Sequence, residues 1–417
     1  MTASPSLSSS GTRALLGQPN FLLFFAAFSV STLGTAIVPV ALTFSVFVAG
    51  YSVSTVGIVL AAQATPMVLL MLLGGVIGDR WPRRGLMVAA DLLRCASQAT
   101  LATMLALGHP SLAALVALAA CCGVGTAFYG PAETGLIPQV AGAERIKDAN
   151  SLVSLSGSVG AVLGPALGGL LVAFGGASVA IGLDAASYAA SAVCLMFMRL
   201  APHAVPPRAP LVADLRLGWG EFSRHRWLQL VTVQYGLLNL VVFAPFFVLG
   251  PSLFASVPDG ARSWGFIAVA TGVGGVVGGL LVLRIRVPRP LLGIQLAIAL
   301  LATPLVMLAL HAPGPLLALG SAIFGVALAV VNILIQTSLQ ESIPHGFLSR
   351  VSSLFGLMAL GLGPIGFALS GPVASLIGTE RALGLGACAV LASVGALLAS
   401  RDIRTFTRPL PGKTDGW

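Results

Sequence analysis

Apolar stretches of about 20 residues recur from Phe21 to Ser400, separated by short polar turns. Each is long enough to cross a hydrocarbon core of about 30 Å as a helix, whose rise is about 1.5 Å per residue. The pattern predicts membrane helices near 20–48, 54–78, 85–107, 111–130, 151–174 and 178–199, then 228–254, 263–283, 290–310, 315–338, 350–377 and 382–400. The longest polar interruption, 200–227, begins with Pro202, Pro206, Pro207 and Pro210 and continues as an amphipathic piece from Leu211 to Trp227. It divides the chain into an N-terminal tail (1–19), a six-helix half (20–199), a linker with a surface helix (200–227), a second six-helix half (228–400) and a C-terminal tail (401–417). The expected fold is therefore all-α: twelve transmembrane helices in two parallel-repeat six-helix bundles.

The two halves echo one another. Gly164-Pro165 answers Gly363-Pro364, Ile137-Pro138 answers Ile343-Pro344, and Gly74-Gly75 followed by Arg80 answers Gly278-Gly279 followed by Arg284. The order is the same in both halves, so the repeat is parallel, as in many secondary transporters with a site between two related bundles. Glycines concentrate in the second, fifth, eighth and eleventh helices, and small residues let backbones approach closely in lipid. Packing inside each half and a sliding contact between halves both fit Gly160, Gly164, Pro165, Gly168, Gly363 and Pro364.

Composition strengthens the membrane reading: 57% of the 417 residues are hydrophobic, 8% are charged and the mean hydropathy is +0.97. A soluble surface cannot be built from so few charges. The net charge of +9 would raise nucleic acid as a partner, but its distribution excludes that. With the N-terminus inside, only Arg262 and Arg381 fall outside and Arg94 within a helix, while every other Lys and Arg among the 22 falls on a cytoplasmic segment. That is the positive-inside rule, and it places both termini in the cytoplasm of a multi-pass protein of a bacterial inner membrane. Residues 1–19 lack the features of a cleaved signal, so the first helix is expected to act as its own insertion signal.

The candidate chemistry is sparse. All five cysteines lie in predicted helices and read as small packing residues. Gly361, Gly363 and Gly366 spell a dinucleotide-type pattern inside a membrane helix with no preceding strand, which excludes that use. No histidine pair has metal spacing and no nucleophile has a partnered base, so neither an enzyme, a cofactor nor a metal is expected. The turn GGVIGDRWPRR, Gly74 to Arg84, sets an acid among three arginines after a close-packing helix end. A carboxylate there suits the positive N-terminal end of a facing helix.

At this turn the chain resembles the major facilitator superfamily: Gly75, Asp79, Arg80, Arg83 and Arg84 match its signature, with Pro82 in place of a glycine. The segment GSVGAVLGPALGG, Gly157 to Gly169, is similar to the antiporter motif of its exporters. FYGPAETGLIPQ (Phe128 to Gln139), Asp148-Ala149-Asn150 and Leu348 to Ser353 resemble the branch of macrolide efflux proteins and the enterobactin exporter. The resemblance implies a cytoplasmic gate formed by Gly75, Asp79, Arg80, Arg83 and Arg84, with Asp79 facing the start of the eleventh helix near Arg350. Asp91, Arg94 and Glu133 join that gate as inner-end charges.

The resemblance also implies a cavity lined by the first, fourth, seventh and tenth helices. That nominates Ser31, Thr35, Tyr129, Gln234, Tyr235, Asn239, Asn332 and Gln336, with Gln63 nearby, between greasy walls from Phe24, Phe28, Phe243, Phe247 and Phe324. The coupling charges common in this branch are missing: the fourth helix has no basic residue and the first carries Leu33-Gly34-Thr35. Intramembrane acids are costly by about 2.5 to 3.5 kcal/mol, so Asp184 and Asp91 are the candidates for carrying protons. For Asp91 an i, i+3 pair with Arg94 is the simpler account, and for Asp184 a satisfied structural acid competes. The expected function is proton-coupled export of an amphipathic small molecule by a monomer. A lipid flippase or importer, and a non-transporting sensor or assembly factor, are the alternatives.

Overall fold

The computed structural model describes residues 14–108, 110–200, 211–254, 259–284 and 287–406, with the backbone alone for 72–80, 143, 147, 162, 166, 211–215, 261, 283, 345, 346 and 349. The described residues are overwhelmingly helical and contain no strand. In chain order the first half holds α1 (Pro19–Val48), α2 (Val53–Arg80), α3 (Arg83–Leu107), α4 (Leu112–Ala141), α5 (146–175) and α6 (177–197). The linker carries α7 (Leu211–Arg224). There follow α8 (Arg226–Ser252), α9 (Gly260–Arg284), α10 (Pro290–Ala309), α11 (Gly314–Ser342), α12 (His345–Ile377) and α13 (Thr379–Ala399).

Ten helical segments among the described residues are long and apolar enough to cross a membrane. The stretch 146–197 contributes one of them, Leu167–Phe197. Helix α3 is not among the ten, because Asp91, Arg94, Ser97 and Gln98 lie in its middle. The linker departs from the sequence expectation at one point. The surface helix stops at Arg224, and His225 takes non-helical φ −105 and ψ 88, so Trp227 belongs to α8.

The chain separates into two compact units: Met1–Pro207 with Phe254–Gly265, and Arg208–Leu253 with Phe266–Trp417. The boundary falls inside the proline-rich linker, and α7 packs on α12 of the second unit, where Gly218 lies against Arg350 and Leu354.

Small residues decide which helices touch within each unit. Gly160, Gly164 and Gly168 of α5 sit four residues apart and lie over Thr32, Ala36 and Ile37 of α1. Gly123 of α4 meets the backbone of Gln63 in α2, and Gly125 meets Ala90 and Arg94 in α3. In the second unit Gly366 of α12 lies on Leu240 and Ala244 of α8. Gly274 and Gly278 of α9 face Ala322 and Val326 of α11, and Gly325 answers against Thr271. A Cβ at these positions would collide with the neighbouring helix, so glycine sets the interhelical distance where lipid supplies no hydrophobic drive. The sharp turns into α6 and α13 pass through Gly176 at φ 80 and Gly378 at φ 91, a region that side chains other than glycine rarely adopt.

Candidate functional site

Helix α3 carries Asp91, Arg94 and Gln98 on one face, and α6 carries Asp184, Ser187, Tyr188 and Ser191 on the face that meets it. Spacings of three, four and seven place each set in a single stripe. The first unit folds these two stripes together and buries both: Asp91, Asp184 and Ser191 are 0% exposed, and Arg94 and Gln98 are 3% exposed.

At one end of the cluster Asp91 is fully engaged. Its Oδ1 pairs with Arg94, and its Oδ2 accepts from the Ser191 hydroxyl at 2.6 Å. The Arg94 guanidinium lies between two aromatic faces, 4.2 Å from the Tyr129 ring centre and 4.3 Å from that of Tyr188. A cation desolvated in this way gains from both ring quadrupoles. At the other end Gln98 donates to Asp184 Oδ2 at 2.9 Å. Asp184 Oδ1 has no hydrogen-bond partner among the described residues and points at Gly34 of α1. Tyr188 closes the link to α1, its hydroxyl bonding Thr35 Oγ1 at 2.9 Å.

The gate candidates divide. Gly75, Asp79 and Arg80 lie in the end of α2 whose side chains fall outside the described residues. Arg83 donates to the Gly135 carbonyl of α4, and Arg84 donates to the Met198 carbonyl at 2.6 Å. Guanidinium groups there satisfy carbonyls freed near a helix C-terminus and complement its negative end. Asp91 and Arg94 are drawn into the buried cluster described above, the i, i+3 pairing expected from sequence. Glu133 is half-buried on α4. Arg350 sits under α7 with its guanidinium 6.0 Å from the Phe347 ring. The motif glycines Gly160, Gly164 and Gly168 with Pro165, and Gly363 and Gly366 with Pro364, belong to the α1–α5 and α8–α12 contacts within their own units.

Of the path candidates, Tyr235 donates to Asn332 Oδ1 at 2.6 Å, and its ring lies 5.8 Å from Phe355 and 6.4 Å from Phe243. Phe324 joins Phe243 at 5.9 Å, so α8, α11 and α12 present an aromatic wall with Asn332 and Gln336 exposed beside it. Asn239 opens a π-helical turn, Asn239–Phe243, and donates to the Ala359 carbonyl of α12 at 3.0 Å. Such turns leave carbonyls to be satisfied from outside the helix, and Asn239 supplies a donor. Thr35 and Tyr129 belong to the buried cluster, with Ser31 accepting from Thr35 through its carbonyl. Gln63 reaches Cys122 Sγ at 3.9 Å across α2 and α4.

Gln234 is placed differently from the sequence expectation. Only 2% exposed, it exchanges two hydrogen bonds with Gln295 of α10, at 2.9 and 2.8 Å, and donates to Ser393 of α13. It therefore holds the interior of the second unit together instead of lining a path. Gln234→Leu leaves Gln295 buried without a partner and is expected to cost about 1 to 3 kcal/mol. Thermal unfolding in detergent checks this: the double variant with Gln295→Leu should recover most of the loss, and equal losses in both would refute the pairing.

Gln98, Ser187, Tyr188, Ser191, Gln295 and Ser393 were not picked out by motif matching. The signal that finds the first four is the polar stripe at helical spacing on α3 and α6.

A bundle of apolar helices with a buried charge cluster and no metal-ligand group among the described residues has the construction of a membrane transporter. The profile of the transmembrane secretion effector family matches residues 10–408, and the chain belongs to that family within the major facilitator superfamily. It is 26% identical over 381 residues to the multidrug efflux pump Tap of Mycolicibacterium fortuitum, covering 86% of this chain and 90% of Tap. It is also 26% identical over 351 residues to the enterobactin exporter EntS of Escherichia coli (strain SMS-3-5 / SECEC), covering 82% and 83% of the two chains. Its fold is similar to that of a POT family transporter crystallised with 5-aminolevulinic acid, with a TM-score of 0.74 at 14% identity over 93% of this chain and 95% of that one. The protein is a multi-pass membrane transporter, not an enzyme.

Proposed function

We propose that this transporter exports a hydrophobic or amphipathic small molecule by alternating access, driven by proton entry. The observation that carries the reading is the buried carboxylate Asp184, held by one amide and with one oxygen unpartnered, in a chain similar to efflux pumps. A group so costly to hold in a membrane is kept for ion movement more often than for packing. The pairings α1–α5, α2–α4 and α3–α6 have counterparts in α8–α12, α9–α11 and α10–α13, which supports twelve spanning helices in two six-helix repeats. The basic cytoplasmic turns support both termini inside. The aromatic wall around Tyr235 and the scarcity of exposed charge suit a greasy, weakly charged cargo such as a drug or a siderophore-like aromatic compound. A monomer suffices, since each unit completes its own helix packing.

An inward proton supplies about 2.3 kcal/mol per 100 mV of membrane potential, enough to concentrate a neutral cargo roughly fiftyfold. Everted vesicles containing the protein are expected to accumulate ethidium, a cation whose one-for-one exchange with a proton is driven by the pH gradient, with accumulation collapsing on addition of a protonophore. Uptake insensitive to the protonophore would reject the proton drive. In the same assay Asp79→Asn is expected to slow uptake at least several-fold, and full activity would remove Asp79 from the gate.

A further inference from the structure

The charge cluster of the first unit sets two fully buried acids, Asp91 and Asp184, around one cation, Arg94, with Glu133 of α4 half-buried within reach of the same guanidinium. Arg94 is the ion-pair partner of Asp91, and Ser191 fills its second oxygen. Asp184 has no ion-pair partner among the described residues: Gln98 donates to its Oδ2, and the Arg94 charge reaches it only from farther off. The other titratable groups that act on it are Arg94 and Cys95 of α3, Cys122 of α4 and Tyr188 of its own helix. From α1 it faces Gly34 and Thr35, neither of them titratable. With Asp184 ionised the two buried aspartates outnumber the one arginine in a medium of low dielectric, and a proton on Asp184 removes that imbalance.

Geometry says where that proton goes. Asp184 Oδ2 is occupied by Gln98 on the α3 side. Oδ1 faces α1 at a glycine, where a Cβ on Gly34 would stand 2.8 Å from it. One residue on, Thr35 is bonded to the Tyr188 hydroxyl, whose ring covers Arg94. The corresponding interior of the second unit is built on a neutral Gln234–Gln295 amide pair with Ser393.

Resting on the proton-driven reading above, we infer that the first unit binds a single transported proton on Asp184 Oδ1 while Asp91 stays ionised against Arg94, with Gln98, Gly34 and the Thr35–Tyr188 bond as the positioning elements that couple the carboxyl to α1. The O–H bond forms when a proton enters from the outer aqueous phase and breaks when the proton leaves to the cytoplasm. No other reactant is needed. Gly34 sets no side chain against the oxygen, and Thr35 ties the helix bearing the expected cargo path to the cluster.

The test is an infrared pH titration of the purified full-length protein in detergent, which reads protonated carboxyl groups without any cargo. Wild type is expected to show a titrating buried carboxyl band that Asp184→Asn lacks and Glu133→Gln keeps. Thr35→Val and Gln98→Leu should keep the band but displace its midpoint by roughly a tenfold change in proton concentration, the size of one lost hydrogen bond. These two variants keep the proposal testable should Asp184→Asn fold poorly. A band retained at full intensity in Asp184→Asn, or midpoints unmoved in both Thr35→Val and Gln98→Leu, would overturn it. The export reading fails separately: protonophore-insensitive ethidium uptake with an intact Asp184 titration rejects the proton drive and leaves the proton site standing.

Discussion

Arg94→Ala is expected to destabilise the first unit by about 3 to 5 kcal/mol, because it strips the counter-charge from a fully buried Asp91. Three losses coincide at that residue. The ion pair to Asp91 disappears, the two aromatic faces of Tyr129 and Tyr188 lose the cation between them, and the stem that packs on Gly125 leaves a gap. The first loss dominates, since an unpaired carboxylate in low dielectric costs more than a missing ring contact of about 1 kcal/mol. The argument predicts rescue. Asp91→Asn combined with Arg94→Met keeps an acceptor for Ser191 and places a thioether between the tyrosine rings, so most of the stability should return. Thermal unfolding followed by monodisperse yield in detergent measures both variants. If the single and double variants unfold together, the pair is not what the arginine is for.

Gly164→Val is expected to be the most damaging single change in the α1–α5 contact. A side chain there would drive into the Cβ and backbone of Ala36, and a helix backbone cannot move aside as a side-chain tip can. Overpacking of this kind costs about 1 to 3 kcal/mol or more, and here the whole of α1 must shift to relieve it. The control lies on the same helix: Gly157 has open space around it, so Gly157→Val should be close to neutral. Comparable folded yields for the two variants would show that the close approach is dispensable.

Much of the fold was legible because a hydrocarbon core imposes length and polarity on anything that crosses it. The apolar stretches, the glycine-rich fifth and eleventh helices and the Asp91–Arg94 spacing could all be read along one dimension. The linker helix was legible too, but its end was not, since His225 breaks it through backbone angles that no residue-type pattern announces. Helix α3 shows the limit of hydropathy: its polar stripe, which takes it out of the apolar count, is the same feature that builds the charge cluster.

The site was less legible. Gln234 looked like a path residue because its helix was expected to line the cavity, yet a helix has several faces and Gln234 is on the one that meets Gln295 and Ser393. Asp184 and Asp91 could both be nominated as buried acids from residue type alone. What separates them is Arg94, three residues from one and on a different helix from the other.

By itself, then, the sequence determined the membrane class, the family and the helix order, because solvent partition and close backbone packing act on residue types and their spacing. Only the tertiary structure decided what meets Asp184: the Gln98 amide at one oxygen, and no hydrogen-bond partner among the described residues at the other. That depends on which side chains from different helices arrive within about 3 Å of one another, and hydrogen bonding and ion pairing have no range beyond that arrival.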